Sequence, residues 1–528
     1  MRFHRSRRHL ALMTLLVLAV LFTAENALTA AKQDIVYNIP GEPMTLDPTY
    51  AYDTSSLTVA LNMFEGLLRL DQTHRPSPGM AQSWKISPDG LVYRFTLREA
   101  SWSDGQPVTA MDFAYAWMRA LTPGQPAEHT PFLFVLANAE AYHKGALLDP
   151  GQVGVKAVDA RTLEVRLAKP TGHFLTLCCL PPFLPVNRRV VAANPRDWSL
   201  FPKTSISNGP FRLVEYSPQG HVMLVPNPYY WQKGQTRARS VTFTWLKPAE
   251  ASSAYTAGLL DGMIDPPEGL RGQYLTRTEL RLTYLVFNLR KPPLDQLVVR
   301  NAIAAALNRA DFVAQAATTD MPAFAVVPPG LPDVAIGKDF RAAGGGIVFA
   351  DRDASLSRRL LSVAGLSGGT GLPTLDLVYV SGQRNQAFAN MVVSSLAEVG
   401  VKVAPAPVSW TDYQRRLSAG EFSLARVGWV ADYPDPYSFL GLFASGASTN
   451  FSAYHSVTYD RTLAEAMNAT DTVRRVEAMH RAEAILANDL PLVPVSFGKR
   501  LYLEGAHLRD VVHLAIGVPL FRLAWMAE

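Results

Sequence analysis

The residues of this 528-residue chain best suited to chemistry lie at the end of an apolar segment, residues 422–432, where Asp432 follows Arg426 and precedes Pro434 and Asp435. Two carboxylates this close are the equipment of general acid–base hydrolysis, one protonating a leaving atom while the other activates water. Hydrolysis also needs a nucleophile or a metal. Neither is evident nearby, and the chain has no His-Glu-x-x-His, no phosphate-binding Walker loop and no Cys and His cluster at metal-ligand spacing. A different use of Asp432 follows from strand parity. If 422–432 is extended, Arg426, Gly428, Val430 and Asp432 share one face, and Val427, Trp429 and Ala431 the other. Asp432 then stands at the carboxyl end of its strand, where α/β proteins commonly place ligand contacts. A carboxylate withdrawn from water there needs a cation beside it. Two partners remain open at this level, a cationic ligand or Arg426 itself, as does a purely local role in capping the turn at Pro434.

Other chemistry-bearing residues have plainer readings. Cys178 and Cys179 are adjacent, so they cannot staple distant segments, and two small buried thiols beside Leu177 and Leu180 are expected. The stretch Ala343-Gly344-Gly345-Gly346 lacks a dinucleotide fingerprint and reads as a loop. An enzyme is therefore not indicated, and neither metal nor cofactor is called for.

The elements that must position Asp432 alternate between strand-like and helix-like segments, which points to an α/β architecture. Trp84 and Ile86 precede Pro88-Asp89-Gly90, after which Leu91, Tyr93, Phe95 and Leu97 alternate with polar residues, predicting a hairpin with one apolar face. Thr109 and Asp112 stand in a capping relation to a helix whose Phe113, Trp117 and Leu121 recur at helical spacing and read as core. Asn208-Gly209-Pro210 opens a strand over 211–216, paired with a second over 222–225. Apolar periodicity predicts helices over 297–307 and near 472–487. The Pro- and Gly-rich stretches 326–346 and 365–373 read as surface connections.

At the N-terminus, Arg2, Arg5, Arg7 and Arg8 precede an uncharged apolar run over 11–24, followed by Ala27, Thr29, Ala30 and Ala31. The run is shorter than the ~20 residues that span a bilayer, so it reads as a cleaved secretory signal ending near residue 31. Four arginines less Glu25 remove +3 of the formal +5, leaving +2 dispersed over the mature chain. No basic stripe with interleaved aromatics remains, which argues against nucleic-acid binding.

These segments carry a family resemblance. Glu42-Pro43-Met44-Thr45-Leu46-Asp47-Pro48, Asn62-Met63-Phe64-Glu65-Gly66-Leu67-Leu68, Trp102-Ser103-Asp104-Gly105, Asn208-Gly209-Pro210-Phe211, Asn227-Pro228-Tyr229-Tyr230-Trp231, Ala304-Ala305-Ala306-Leu307-Asn308-Arg309 and Gly428-Trp429-Val430-Ala431-Asp432-Tyr433 occur in this order. Together they resemble the periplasmic oligopeptide-binding proteins of the peptide and nickel family of extracellular solute-binding proteins. The resemblance implies a two-lobed, three-domain periplasmic binding protein with a ligand cleft between its lobes. Residues 32–56, 185–280 and 498–528 would form the first domain, 57–184 the second and 281–497 the third, after a signal peptide over 1–31. It implies a monomeric periplasmic receptor that encloses an extended peptide by hinge closure and delivers it to the permease subunits of an ABC importer. Asp432 falls on the family's ammonium-binding aspartate and Trp410 on a tryptophan lining a side-chain pocket. Glu42 would lie on an early strand near the ligand backbone, and Arg426, Trp429, Asn385 and Phe497 complete the expected ligand-binding set. The chain departs from its best-studied relatives at Val430, where they have a bridged cysteine. It also departs near Asn385 and at Leu417, where they have a histidine and an arginine for the ligand's carboxylate. Peptide length is thus open, and a non-peptide solute or a sensor role stands as the alternative, with a periplasmic hydrolase behind them.

Overall fold

The computed structural model describes residues 33–125, 129–218, 220–316, 319–334, 338–344 and 350–528, so the expected signal lies outside the described residues. No described helix is long and apolar enough to cross a membrane.

The local patterns fold as their periodicities require. Ala81–Ile86 and Val92–Leu97 pair antiparallel with Trp84 opposite Phe95. Gly90 takes the positive φ of 69° that their tight turn demands. Tyr93, Phe95 and Leu97 are buried, and the hairpin extends through Thr162–Arg166 to Val155–Ala157 as a four-stranded sheet. The helix Ala110–Ala120 packs on it, with Phe113, Trp117 and Leu121 fully buried. The Asp112 carboxylate accepts hydrogen bonds from the Thr109 N–H and hydroxyl, both at 2.9 Å, which satisfies a donor that the first turn leaves orphaned.

The main sheet runs through the whole molecule. On one side Phe211–Ser217, His221–Pro226, Ser240–Thr244, Asp34–Asn38 and Gly262–Ile264 follow one another; on the other, Leu424–Val430, Leu375–Val380 and Val403–Val408. Two long antiparallel strands, Gln273–Phe287 and Leu492–Glu504, join the halves. Their pairing slips between Thr278 and Leu282, where residues 279–281 oppose Gly498 alone. Such a bulge breaks the ladder and bends the strands.

The cores divide at this bulge. One cluster spans Ile35, Val59, Phe95, Trp117, Phe183, Phe243 and Phe521. Beyond the bulge, Leu282, Tyr284, Phe439 and Met479 form a second on one face of the sheet under the helix Thr472–Asp489. Leu285, Ile303, Phe388 and Val493 form a third on the other face under Leu297–Ala306 and Gln383–Ala397. The molecule is thus two lobes joined by two strands.

One expectation fails. Residues 326–346 are not simply a surface connection, because Val326, Val327, Leu331 and Phe340 are buried. Pro and Gly signal irregular backbone, and irregular backbone can be buried when its donors are met. Here the Glu483 carboxylate accepts from the Val326 and Val327 N–H groups at 3.0 and 2.8 Å, and Arg341 closes over it at 2.6 Å. Residues 365–373 do lie at the surface, and Cys178 and Cys179 are free and buried.

Candidate functional site

Asp432 stands just beyond Leu424–Val430, where the two lobes face each other. The strand continues to Ala431, whose N–H donates to the Leu280 carbonyl at 2.7 Å. This places Asp432 beside the bulge. Parity holds: Val427 and Ala431 pack into the core, and Trp429 packs against it, while Gly428, Val430 and Asp432 are exposed. The exposed face floors a recess of about 210 Å³, walled by Val430 and Asp432 from one lobe and by Tyr52, Leu57, His129, Leu180 and Ile516 from the other. Behind Leu180 and Ile516 lies a smaller cavity of about 60 Å³, lined largely by leucines and Cys179.

The Asp432 carboxylate has no hydrogen bond or ion pair among the described residues. Water reaches it through the open recess, yet the surrounding walls remove enough solvation to push its pKa up to about 6. Asp435 is quite different. Burial opposes its charge, but the Arg475 guanidinium at 2.7 Å and neighbouring His173 outweigh burial and hold the carboxyl below its ordinary range. The two carboxylates therefore do not form a catalytic pair. Asp435 is committed to structure, whereas Asp432 has no partner among the described residues.

Arg426 shares the face of Asp432, six residues back, roughly 20 Å along the strand at ~3.3 Å per residue. Burial pulls its pKa down to about 10, so it remains cationic at neutral pH. Its Nε has no partner, and the Nε of Arg384 is likewise unpaired. Arg384 and Arg281 both contact the buried Asp320, Arg281 at 3.0 Å, and Arg281 also holds Glu279 at 2.7 Å. Because Arg281 pairs with Val430, this cluster runs along the face from Arg426 to the bulge, and it carries one cation more than its carboxylates balance.

The other expected residues are scattered. Trp410 begins the helix Trp410–Ala419, 61% exposed and stacked on Tyr413, whose hydroxyl donates to the Arg426 carbonyl at 2.8 Å. Asn385 donates to the Val380 carbonyl at 2.8 Å, which anchors the turn into Gln383–Ala397; it is its neighbour Arg384 that joins the charged cluster. Trp429 lies on the core face, its indole N–H without a partner. Two placements correct the sequence reading. Glu42 is not on the early strand, which ends at Asn38, but in an exposed loop where it accepts from the Tyr216 hydroxyl at 3.0 Å. Phe497 is 3% exposed and packs in the core, because it pairs with Leu282 on the covered face.

Sequence reasoning missed Tyr52, Leu57, Leu180 and Ile516, which come from three separate segments and carry no local motif. It also missed Arg281, Asp320 and Arg384, whose charges gain meaning only once strand pairing brings them together. No group of three or more His, Cys, Asp or Glu suited to a metal exists among the described residues. One Gly-x-Ser-x-Gly spacing occurs, from Gly365 to Gly369, but its Ser367 sits in an exposed 3-10 turn with its hydroxyl on Ser362 at 3.1 Å, far in character from a strand-to-helix nucleophile.

Known proteins share this arrangement. The chain is 31% identical over 508 residues to the dipeptide-binding protein DppE of Bacillus subtilis, covering 93% of this chain and 92% of that one. The unliganded open form of the periplasmic murein tripeptide binding protein MppA superposes with a TM-score of 0.85 at 30% identity, covering 94% of this chain and 98% of that one. Haemophilus influenzae OppA in complex with RPPGFSPFR gives 0.66 at 26% identity, covering 94% and 99%. The higher score belongs to the unliganded open form. The model of the bacterial extracellular solute-binding proteins, family 5 Middle, matches residues 75–451. Matched by that model over most of its length and 31% identical to DppE, the chain belongs to the family 5 bacterial extracellular solute-binding proteins.

Proposed function

We propose that this protein is the substrate-binding component of an ABC importer and captures peptides in an extended conformation by closing its two lobes. The carrying observation is the free Asp432 carboxylate, poorly solvated and without a partner, on a cleft floor shared by both lobes. A peptide α-ammonium supplies the missing cation. The excess positive charge of Arg426, Arg384 and Arg281 on the same face suits an anionic group of the same ligand. Trp410 lines the groove between them in this reading. The relatives named for peptides support the same class of ligand. The receptor acts as a monomer in the periplasm after removal of residues 1–31, and hands its ligand to permease subunits.

Titration calorimetry of Asp432→Asn against wild type, each with a free and an N-acetylated peptide, tests this. Removing one member of a buried charge pair costs about 3 to 5 kcal/mol. At about 1.4 kcal/mol per tenfold change, the variant should bind the free peptide at least roughly a hundredfold more weakly. Acetylation should hurt the wild type badly and the variant little. Additive losses would end the ammonium reading.

A further inference from the structure

Asp432 makes no contact that holds its own carboxylate, so its position is set by its flanks. On one flank is the strand. On the other is Tyr433, only 8% exposed, and the groups that bury it come from the opposite lobe. The imidazole of His173 lies parallel to the Tyr433 ring, 4.8 Å between centroids and 3° between planes. Phe132 meets the same ring edge-on at 5.9 Å and 89°. His173 also stacks on Tyr437 at 5.4 Å, and Phe132 rests on His129, which lines the recess holding Asp432.

The contact around this clamp is close and specific. The Gly172 N–H donates to the Met467 carbonyl at 3.1 Å across the lobe boundary, and the Arg475 side chain crosses so near Gly172 that a Cβ there has no room. The same Arg475 holds Asp435 at 2.7 Å, so the turn 432–437 is gripped by a salt bridge from its own lobe and by rings from the other. Asp435, Arg475 and Lys169 are the charged groups acting on His173, and burial dominates them and keeps the ring neutral, with a pKa down to about 4.

We infer that His173 and Phe132 are positioning residues for the ammonium site, holding the Asp432 carboxylate across the lobe boundary through Tyr433 before any ligand arrives. This rests on the reading of Asp432 given above. A preformed site loses less on binding than one that must be ordered by its ligand. Plain lobe-to-lobe packing would instead affect every ligand alike, whatever its N-terminus.

The test uses tetra-alanine and N-acetyl-tetra-alanine with the full exported protein. His173→Ala and Phe132→Leu should each weaken tetra-alanine about tenfold and leave the acetylated peptide unchanged, while His173→Phe, which restores a ring, should recover the loss. Equal losses on both peptides, or none, would overturn the inference. A second measurement needs no ligand: carbon-13 titration of the Asp432 carboxyl should fall from about 6 in the wild type toward the ordinary carboxylate value in His173→Ala, as a released turn lets the group hydrate. An unmoved titration would also count against the clamp. Asp432→Asn, run alongside, separates the two claims. If that variant keeps the preference for a free amine, the ammonium reading itself fails. If it loses the preference while the His173 and Phe132 variants keep it, only the positioning inference fails.

Discussion

A cleft carboxylate that is hard to ionise has opposite effects on the empty and the loaded protein. The Asp432 pKa of about 6 lies above the ordinary value, so its charged form is the costly one. That cost develops as pH rises from the ordinary carboxylate value near 4 to about 6, is full above about 6, and is gone only below about 4. Asp432→Asn should therefore melt higher than wild type at pH 8, by a smaller margin at pH 5 and about equally below pH about 4, as scanning calorimetry would show. Removing a strained functional charge often stabilises a protein in this way. Cation capture has the other sign. It needs the ionised form, so affinity for a free-amine peptide should be full above pH about 6 and decline up to about tenfold per unit below it. His173 works over a lower window. Its pKa is depressed to about 4 by burial, so its contribution is complete above the ordinary histidine value and is lost as pH falls through about 4. The aromatic clamp should thus outlast the ammonium site on acidification.

Among the elements, the two joining strands decide how the lobes can move. Between Thr278 and Leu282 their ladder slips, and Gly498 faces three residues of the opposite strand. A Cβ at position 498 would come within 2.7 Å of both the Cβ and the Nε of Arg281. Arg281 cannot retreat freely, because it is tied to Glu279 at 2.7 Å and to Asp320 at 3.0 Å. Gly498→Ala should therefore cost about 1–3 kcal/mol by overpacking, read from the midpoint of urea unfolding. It should weaken peptide binding as well, since the displaced guanidinium belongs to the charged cluster on the same face as Asp432. The helix Ala110–Ala120 offers a contrast far from the hinge. Asp112→Ala removes the acceptor of two hydrogen bonds at its first turn and should cost about 1 kcal/mol with no change in binding.

For the whole molecule, a recess lined from both lobes implies a population shift on binding. A ligand that touches both lobes favours the closed state by its differential affinity for it. Saturating peptide should shrink the scattering radius of gyration. At a hundredfold excess over Kd it should also stabilise the fold by about 2.7 kcal/mol, seen as a higher melting temperature. A raised melting temperature with an unchanged radius would mean that the ligand binds one lobe alone.

Much of this was written in local sequence. The hairpin around Gly90, the capped helix with Phe113 and Trp117, the strand pair opening at Phe211 and the facing of Val430 and Asp432 all follow from periodicity and turn chemistry, which act over a few residues. The ordered motifs sufficed to identify the family. Tertiary structure alone decided the rest. Glu42 and Asn385 read as ligand contacts, yet pairing register and loop paths place them on Tyr216 and on a carbonyl instead. Phe497 looks like an aromatic ligand contact until its partner strand puts it on the covered face. The cluster of Arg281, Asp320, Arg384 and Arg426 draws on three strands or turns and a helix start, and the clamp on Tyr433 joins residues some 260 to 300 positions apart, at His173 and Phe132. Spacing encodes neighbours along one element. It carries no record of which elements meet, because that is settled by the joint packing of the cores and by the path of the chain between the lobes.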